Sequence, residues 1–152
     1  MIQLTILGKP FSKQRHQTSI RGKGENAYLH EWTPTATVNY EVLVRLAFMD
    51  KYPNHIPWER NVPLVSVMRS FYAVPASMSK TQIPMALRGE VFRPRVNDLD
   101  NCLKIVWDAL NQIAFADDSQ IAEAHAYKYY SDKPRMELSL YTLEEYELLK
   151  DL

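Results

Sequence analysis

Four aspartates and one lysine are spaced so that they could act together on a phosphate group. Asp98 and Asp100 fall at the predicted start of a helix, and Asp117 and Asp118 follow that helix after a short apolar run. Carboxylates repel one another and resist burial as anions, so a fold that gathers them usually holds a divalent cation. Oxygen ligands favour Mg²⁺, with Mn²⁺ as a substitute, over zinc. The pattern therefore predicts metal-assisted chemistry on phosphate.

Each of these residues also has an ordinary structural reading. Asp98 could accept backbone N–H bonds as an N-cap, and Asp100 could complement the helix dipole in the first turn. Lys104 lies four residues after Asp100, so it could form an ion pair on the helix surface or stabilise charge on a reacting phosphate. Asn101 could orient a ligand carboxylate or could act as a cap. Capping does not explain the second aspartate pair, which favours the metal hypothesis.

Basic residues before the first helix and before the first aspartate pair could hold the phosphates of a nucleic acid. Such contacts supply most of the non-specific affinity for nucleic acid. The ordinary alternative is that these residues lie on a solvated loop and bind nothing. The candidate DNA-binding cations are Lys9, Lys13, Arg15, Arg93 and Arg95. Phe11 and Trp32 could stack on bases or could pack in the core.

The overall charge is balanced, but its distribution is not. The chain has 18 Lys and Arg against 18 Asp and Glu, so the formal net charge is zero. A neutral total taken alone argues against a nucleic-acid-binding protein. Residues 9–25, however, contain five cations and one anion, whereas residues 144–151 contain four anions and one cation. Because a bound metal would also offset the negative charge of some acids, the neutral net charge does not exclude a DNA-binding protein.

Several other classes of site are absent from the sequence. The single cysteine, Cys102, excludes an internal disulfide and a cysteine-based zinc site. The four histidines lack ligand spacing, and no phosphate loop, dinucleotide fingerprint or serine-nucleophile elbow occurs. We therefore expect no small-molecule cofactor. Since no apolar run has membrane-spanning length and no signal peptide is evident, we expect a cytoplasmic protein without membrane contact.

Hydrophobic patterning predicts the elements that position these residues within one domain over residues 1–152. Strands are predicted over 2–8, 64–74, 120–130 and 136–141, the last two as a hairpin. Helices are predicted over 35–50, 77–87, 99–112 and 142–149, with Ser77 and Thr142 as caps. A long loop is predicted over 11–34 and an extended segment over 90–97. The predicted core stripes are Val38, Val42, Leu46 and Met49 on one helix, and Leu99, Leu103, Val106 and Leu110 on another.

Residues 95–104, 108–111 and 117–121 together resemble the signature of the RusA family of Holliday junction resolvases. Residues 8–15 resemble the basic segment after the first strand of that family, and residues 128–135 resemble its C-terminal hairpin. The resemblance therefore spans nearly the whole chain in the same order. It implies an α+β fold in which a mixed sheet packs with helices. It also implies an endodeoxyribonuclease, common in phages and prophages, that acts in DNA recombination and repair.

The same resemblance assigns roles to particular residues. It places the metal-binding aspartates at Asp98, Asp100 and Asp118, with Asp117 beside them, and the catalytic lysine at Lys104. It implies a Mg²⁺-dependent homodimer that binds branched DNA. One symmetric nick would be made by each of two active sites in a four-way junction, whose two-fold symmetry the dimer would match.

Two positions depart from the family pattern, and two alternative functions stay open. Cys102 stands where the family often has leucine, and Gln112 stands where it often has glycine after Asn111, so the helix could end differently.

One alternative is a branched-DNA-binding protein of the same fold without junction-specific cleavage. The other is a metal-dependent phosphohydrolase acting on small nucleotides, although the sequence carries no nucleotide-binding motif.

Overall fold

A four-stranded mixed sheet packed with helices carries the candidate site, which confirms the predicted α+β class. The computed structural model describes residues 1–90 and 92–150. Val91, in the predicted extended segment, and Asp151, in the acidic tail, lie outside the described residues. The strands are β1 Ile2–Leu7, β2 Gln17–Arg21, β3 Tyr28–Trp32, β4 Leu64–Tyr72, β5 Ile121–Tyr130 and β6 Arg135–Thr142. The helices are α1 Thr35–Lys51, α2 Ile83–Leu87, α3 Leu99–Leu110 and α4 Leu143–Lys150.

The order of strands in the main sheet is β1, β6, β4, β5. Strand β4 pairs in parallel with β5, and β6 runs antiparallel to both of its neighbours. The prediction that β5 and β6 form a hairpin is therefore wrong, because β4 lies between them. Parallel strands need a crossover connection, and α3 supplies the one from β4 to β5. The turn after β5 then crosses the end of β4, where the Ser131 N–H donates to the Tyr72 carbonyl at 2.8 Å.

Helix α1 matches the predicted range closely, but the predicted core face of this helix is wrong. Its buried residues are Thr37, Tyr40, Val44 and Phe48, which face β1 and α3. The predicted stripe of Val38, Val42, Leu46 and Met49 is exposed instead. Apolar residues occur on most sides of this helix, so periodicity alone cannot select the buried side. Packing against the neighbouring elements selects it.

Residues 11–34 are not one continuous loop, since β2 and β3 form an antiparallel two-stranded ribbon there. None of the ten strand residues is buried, so the sequence shows no alternation of apolar and polar positions. The predicted helix over 77–87 is also shorter than expected, because α2 begins only at Ile83. Pro84 lacks an N–H and fits only the first turn of a helix, where it lies here.

The C-terminal half follows the predictions more closely. Strands β4, β5 and β6 lie within a residue or two of the predicted ranges. Thr142 caps α4 as predicted, since its hydroxyl accepts from the Glu145 N–H at 3.2 Å and its own N–H donates to the Glu145 carboxylate at 2.9 Å. No helix within the described residues combines the length and the apolar character that crossing a membrane requires.

Helix α3 is the best-defined predicted element, although it ends at Leu110 rather than at residue 112. Its buried stripe is Cys102, Ile105, Val106, Ala109 and Leu110, and Leu99 and Leu103 pack at its margin. Beyond the helix end, Gln112 adopts a φ of 65°, in the left-handed region that favours glycine. A glycine at this position would fit this backbone without strain.

The conformation of Gln112 gives a direct stability prediction. Gln112→Gly should raise the free energy of unfolding by about 0.5–1 kcal/mol, because relief of the strain exceeds the added entropy of the unfolded chain. Gln112→Ala removes the same exposed side chain but keeps the strain, so it should leave stability within about 0.5 kcal/mol of the original. Urea denaturation of the three proteins measures both changes. A Gln112→Gly variant that is less stable than Gln112→Ala would contradict the prediction.

Candidate functional site

The backbone that leads into α3 is held by three other segments. Asn97 has a φ of 57°, a left-handed conformation that asparagine tolerates better than most residues. Its side-chain amide donates to the carbonyl of Pro10 at 3.2 Å and lies 3.3 Å from the hydroxyl of Tyr72. The ammonium of Lys128 donates to the carbonyls of Val96, at 3.0 Å, and of Asn97. These contacts fix where the following residue, the first aspartate, begins the helix.

Substitution of Asn97 tests how strongly this backbone depends on the side chain. Asn97→Val should lower the free energy of unfolding by about 2–3 kcal/mol, because a β-branched residue resists positive φ and the amide contacts are lost. Asn97→Gly keeps the backbone conformation and should cost only about 1 kcal/mol. Thermal or urea denaturation distinguishes the two variants. Equal losses of unfolding free energy in the two variants would mean that the left-handed conformation of residue 97 does not affect stability.

Asp98 and Asp100 present two exposed carboxylates at the positive end of the α3 dipole. Asp98 occupies the N-cap position, but its side chain makes no capping hydrogen bond. The amide of Asn101 lies 3.4 Å from the Asp98 Oδ2, which orients that carboxylate as one reading of the sequence predicted. Among the residues that the structure describes, Asp100 forms no ion pair with Lys104. Asp100 therefore still complements the helix dipole, but neither a capping bond nor an ion pair with Lys104 engages the two carboxylates.

The second aspartate pair lies in the turn before β5, and its two members differ. The Asp117 carboxylate accepts from the Ser119 N–H at 3.0 Å and from the Arg60 guanidinium at 3.0 Å. Hydrogen bonding by Ser119, reinforced by the Arg60 charge, lowers the pKa of Asp117 below its ordinary value. Asp118 is half-buried and makes no such side-chain bond within the described part of the chain. Asp118 is thus the member of the pair that is free for a ligand.

Gln120 is a structural residue rather than only the first residue of a strand. Its side chain is 6% exposed, and its amide nitrogen donates to the carbonyls of Glu59 at 2.6 Å and Val62 at 3.0 Å. Its amide oxygen accepts from the Asp117 N–H at 2.9 Å, which completes a capping box. The buried glutamine therefore holds the turn that carries Asp117 and Asp118 against the loop before β4.

One chain places the two aspartate pairs at opposite ends of α3. The helix runs antiparallel to β4, because the Cys102 Sγ lies 3.7 Å from the hydroxyl of Tyr72 and the Trp107 indole donates to Ser66 at 3.1 Å. Twelve helical residues span about 18 Å. Across residues 1–90 and 92–150, no three His, Cys, Asp or Glu side chains are close enough together to hold a metal ion. The chemistry of the donors suits Mg²⁺, but within the described residues the two aspartate pairs do not meet.

The predicted catalytic lysine lies on a basic surface beside the first aspartate pair. Lys104 is exposed and lines a shallow depression of about 280 Å³ together with Lys13, Gln14, Arg15, His16 and Asn101. The N-terminal segment reaches this surface because the Lys13 N–H donates to the Asn101 carbonyl at 3.0 Å. The fold thus brings Lys104 and Arg15 together next to the start of α3.

The other predicted DNA-binding cations fall into two groups. Lys13 pairs with the carboxylates of Asp108 and Glu41, the latter at 3.6 Å. Partial burial alone would lower the pKa of Lys13, but these two acids outweigh it and the pKa is raised. Arg93 donates to a backbone carbonyl and stacks on the Tyr129 ring at 4.8 Å. Lys9 and Arg95 are exposed, as Arg93 is, but neither forms an ion pair or a cation–π contact within the described residues.

Lys128 is the site residue that sequence reasoning missed. It lies in β5 within a run of alternating residues that predicts only a strand. Its contacts with the carbonyls before Asp98 depend on the parallel pairing of β4 and β5, which brings the end of β5 to the start of α3. Sequence spacing gives no signal for such a contact, since Lys128 and Asn97 are 31 residues apart.

Comparison with known proteins identifies relatives across nearly the whole chain. The model of a family described as endodeoxyribonuclease RusA matches residues 8–141. This range includes both aspartate pairs, Lys104, strands β4 and β5 and nearly all of β6, and it begins directly after β1. The chain is also 30% identical over 142 residues to a Bacillus subtilis (strain 168) protein described as uncharacterized protein YqaN. That alignment covers 91% of this chain and 94% of the relative.

Proposed function

Because the chain belongs to the RusA family of endodeoxyribonucleases, we propose that it is a Mg²⁺-dependent nuclease that resolves four-way DNA junctions by paired symmetric nicks. The observation that carries this proposal is the pair of exposed carboxylates at the start of α3. Asp98 and Asp100 make neither the capping bond nor the ion pair that a purely structural role would use. They also lie beside cations that could hold a phosphate backbone. Such a nuclease would act in the cytoplasm, where its DNA substrate lies.

We further propose that the protein acts as a homodimer in which two chains complete each metal site. The two aspartate pairs of one chain flank α3, which is about 18 Å long, so Asp98 and Asp100 cannot share a metal ion with Asp118 of the same chain. A two-fold axis could bring the start of α3 in one copy to the turn of Asp117 and Asp118 in its partner. The same axis would create two equivalent sites, one for each nick. A divalent cation held there would neutralise a phosphate and lower the pKa of a bound water.

The basic residues supply the remaining functions in this proposal. Lys104 stabilises the negative charge that develops on the phosphate, because it lies one helical turn from Asp100 on the exposed surface. Lys9, Arg15 and Arg95 hold the DNA backbone. Lys13 and Arg93 already have partners within the chain, so we assign them secondary roles in DNA binding.

One observation favours the alternative of a branched-DNA-binding protein without cleavage. The described residues of one chain gather no metal-ligand cluster. If the protein were monomeric on DNA, the basic surface would bind a junction but the aspartates could not cooperate. The oligomeric state on DNA and the cleavage activity therefore have to be measured together.

A substrate comparison tests the proposed function. The protein is incubated with a synthetic four-way junction, a linear duplex of the same sequence and a free nucleotide, each with Mg²⁺, Mn²⁺ or a chelator. We expect paired symmetric nicks in the junction only, and only with a divalent metal. Binding without cleavage in either metal would support the alternative. Hydrolysis of the nucleotide alone would instead support the phosphohydrolase reading.

A further inference from the structure

A cavity of about 310 Å³ opens beside the start of α3, and the proposed phosphate chemistry leaves it unused. It lies where the end of β4, the segment before α3 and the turn between β5 and β6 meet. Its walls include two aromatic rings, Tyr72 and Tyr130, and three prolines, Pro75, Pro94 and Pro134. Among its described lining residues, the charged one is Lys9, which is exposed.

The chemistry of this cavity matches a nucleobase that has left the base stack. Tyr72 and Pro94 are buried, but the Tyr130 ring, Pro75 and Pro134 remain accessible and offer flat apolar surfaces on which a base can stack. The volume lies at the lower end of the range of small-molecule pockets, which suits one base rather than a larger ligand. An exposed lysine at the same place complements the phosphate to which a base is attached.

The position of the cavity ties it to the first aspartate pair. Val96 lines the cavity, and Asp98 follows it by two residues. Two residues of extended chain span at most about 7 Å, so a base in the cavity would be close to a phosphate at Asp98. The hydroxyl of Tyr72 lies 3.3 Å from the side-chain amide of Asn97, which connects the wall of the cavity to the backbone before the helix.

We propose that this cavity receives one unstacked base of the DNA substrate, next to the phosphate that is cut. The inference rests on the proposed nuclease function and adds to it a physical basis for preferring branched DNA. Unstacking a base costs least where pairing is already disturbed, as at a branch point. Binding by stacking needs few directed hydrogen bonds, so the cavity accepts different bases. A continuous duplex resists the same step.

Filling the cavity tests its part in cleavage. Ala73 is exposed and lines the cavity, whereas Ala76 is exposed three residues further on and does not line it. Ala73→Phe should slow junction cleavage by about 10-fold or more, the loss expected when one stacked base is displaced. Ala76→Phe is the matched control and should cleave within about 2-fold of the original protein. Equal cleavage by both variants, with unchanged thermal stability, would overturn the proposal.

Cross-linking tests occupancy of the cavity without relying on cleavage. Junctions that each carry a single 5-iodouracil at one position around the branch point are irradiated with Asp100→Asn protein. We expect one position next to the cut to cross-link to a peptide containing Tyr130, and no such cross-link from a linear duplex. If cross-links map only to other parts of the chain, the base does not enter the cavity.

The two readouts separate the cavity from the nuclease function. A cross-link in the cavity without cleavage by the original protein would sustain the base-binding inference and refute the nuclease proposal. Normal cleavage by Ala73→Phe without a cavity cross-link would refute the inference and leave the nuclease proposal intact.

Discussion

Asp100→Asn should lower the rate of Mg²⁺-dependent junction cleavage by about a thousandfold or more, while the variant binds the junction at least as tightly as the original protein. The side chain is exposed in the first turn of α3, so the substitution removes a metal ligand without opening the core. Removing a negative charge near the phosphates should also favour binding. Single-turnover cleavage and gel-shift titration of the same junction measure the two effects separately.

Asp50→Asn is the matched control for this prediction. Asp50 is likewise an exposed aspartate on a helix, in the last turns of α1, outside both aspartate pairs. Its substitution should leave cleavage within about 2-fold of the original rate. Cleavage by Asp100→Asn at the rate of this control would contradict the role of Asp100. Loss of binding together with cleavage would show that the aspartate positions the DNA instead.

The second large effect concerns Lys104. Lys104→Met should slow cleavage by about 100-fold to 1,000-fold, the usual cost of removing one group that stabilises developing charge. Methionine keeps a long unbranched side chain and high helix propensity, so the helix itself should not be weakened. Because Lys104 is exposed and lies outside the buried stripe of α3, its substitution should not change the unfolding midpoint.

Lys104→Arg and the salt dependence distinguish a catalytic lysine from a general DNA contact. Arginine keeps the charge but not the compact ammonium, so it should restore binding fully and cleavage only in part. If Lys104 served only the DNA backbone, Lys104→Met would weaken binding and reduce its salt dependence while the rate at saturating protein stayed normal.

The sequence was sufficient for the elements that hold the first aspartate pair. The α3 stripe and the alternation in β5 are strong periodic signals, and they predicted both elements nearly to their ends. The same signals could not predict how the elements pair. Local spacing gives no information on whether β5 lies next to β4 or β6, and that pairing decides which groups, Lys128 among them, reach the start of α3.

Within the described residues of one chain the two aspartate pairs do not meet, and the reason is geometric. A helix of twelve residues separates them, and a helix carries its two ends about 18 Å apart. Residues that flank a helix are therefore close in the sequence but far apart in space. The ribbon of β2 and β3 escaped prediction for a different reason, since a ribbon without a buried face shows no hydrophobic pattern.

The measurement that tests the central proposal most directly uses dimers made from two inactive subunits. Asp100→Asn and Asp118→Asn chains, each inactive alone, are coexpressed with different tags, and the mixed dimer is purified. If each site takes Asp100 from one chain and Asp118 from the other, one site carries both substitutions and the other carries none. We predict nicking of the four-way junction at about half the rate of the original dimer, in one strand only. If each site instead used aspartates of one chain, both sites would be damaged, and an inactive mixed dimer would contradict the shared site.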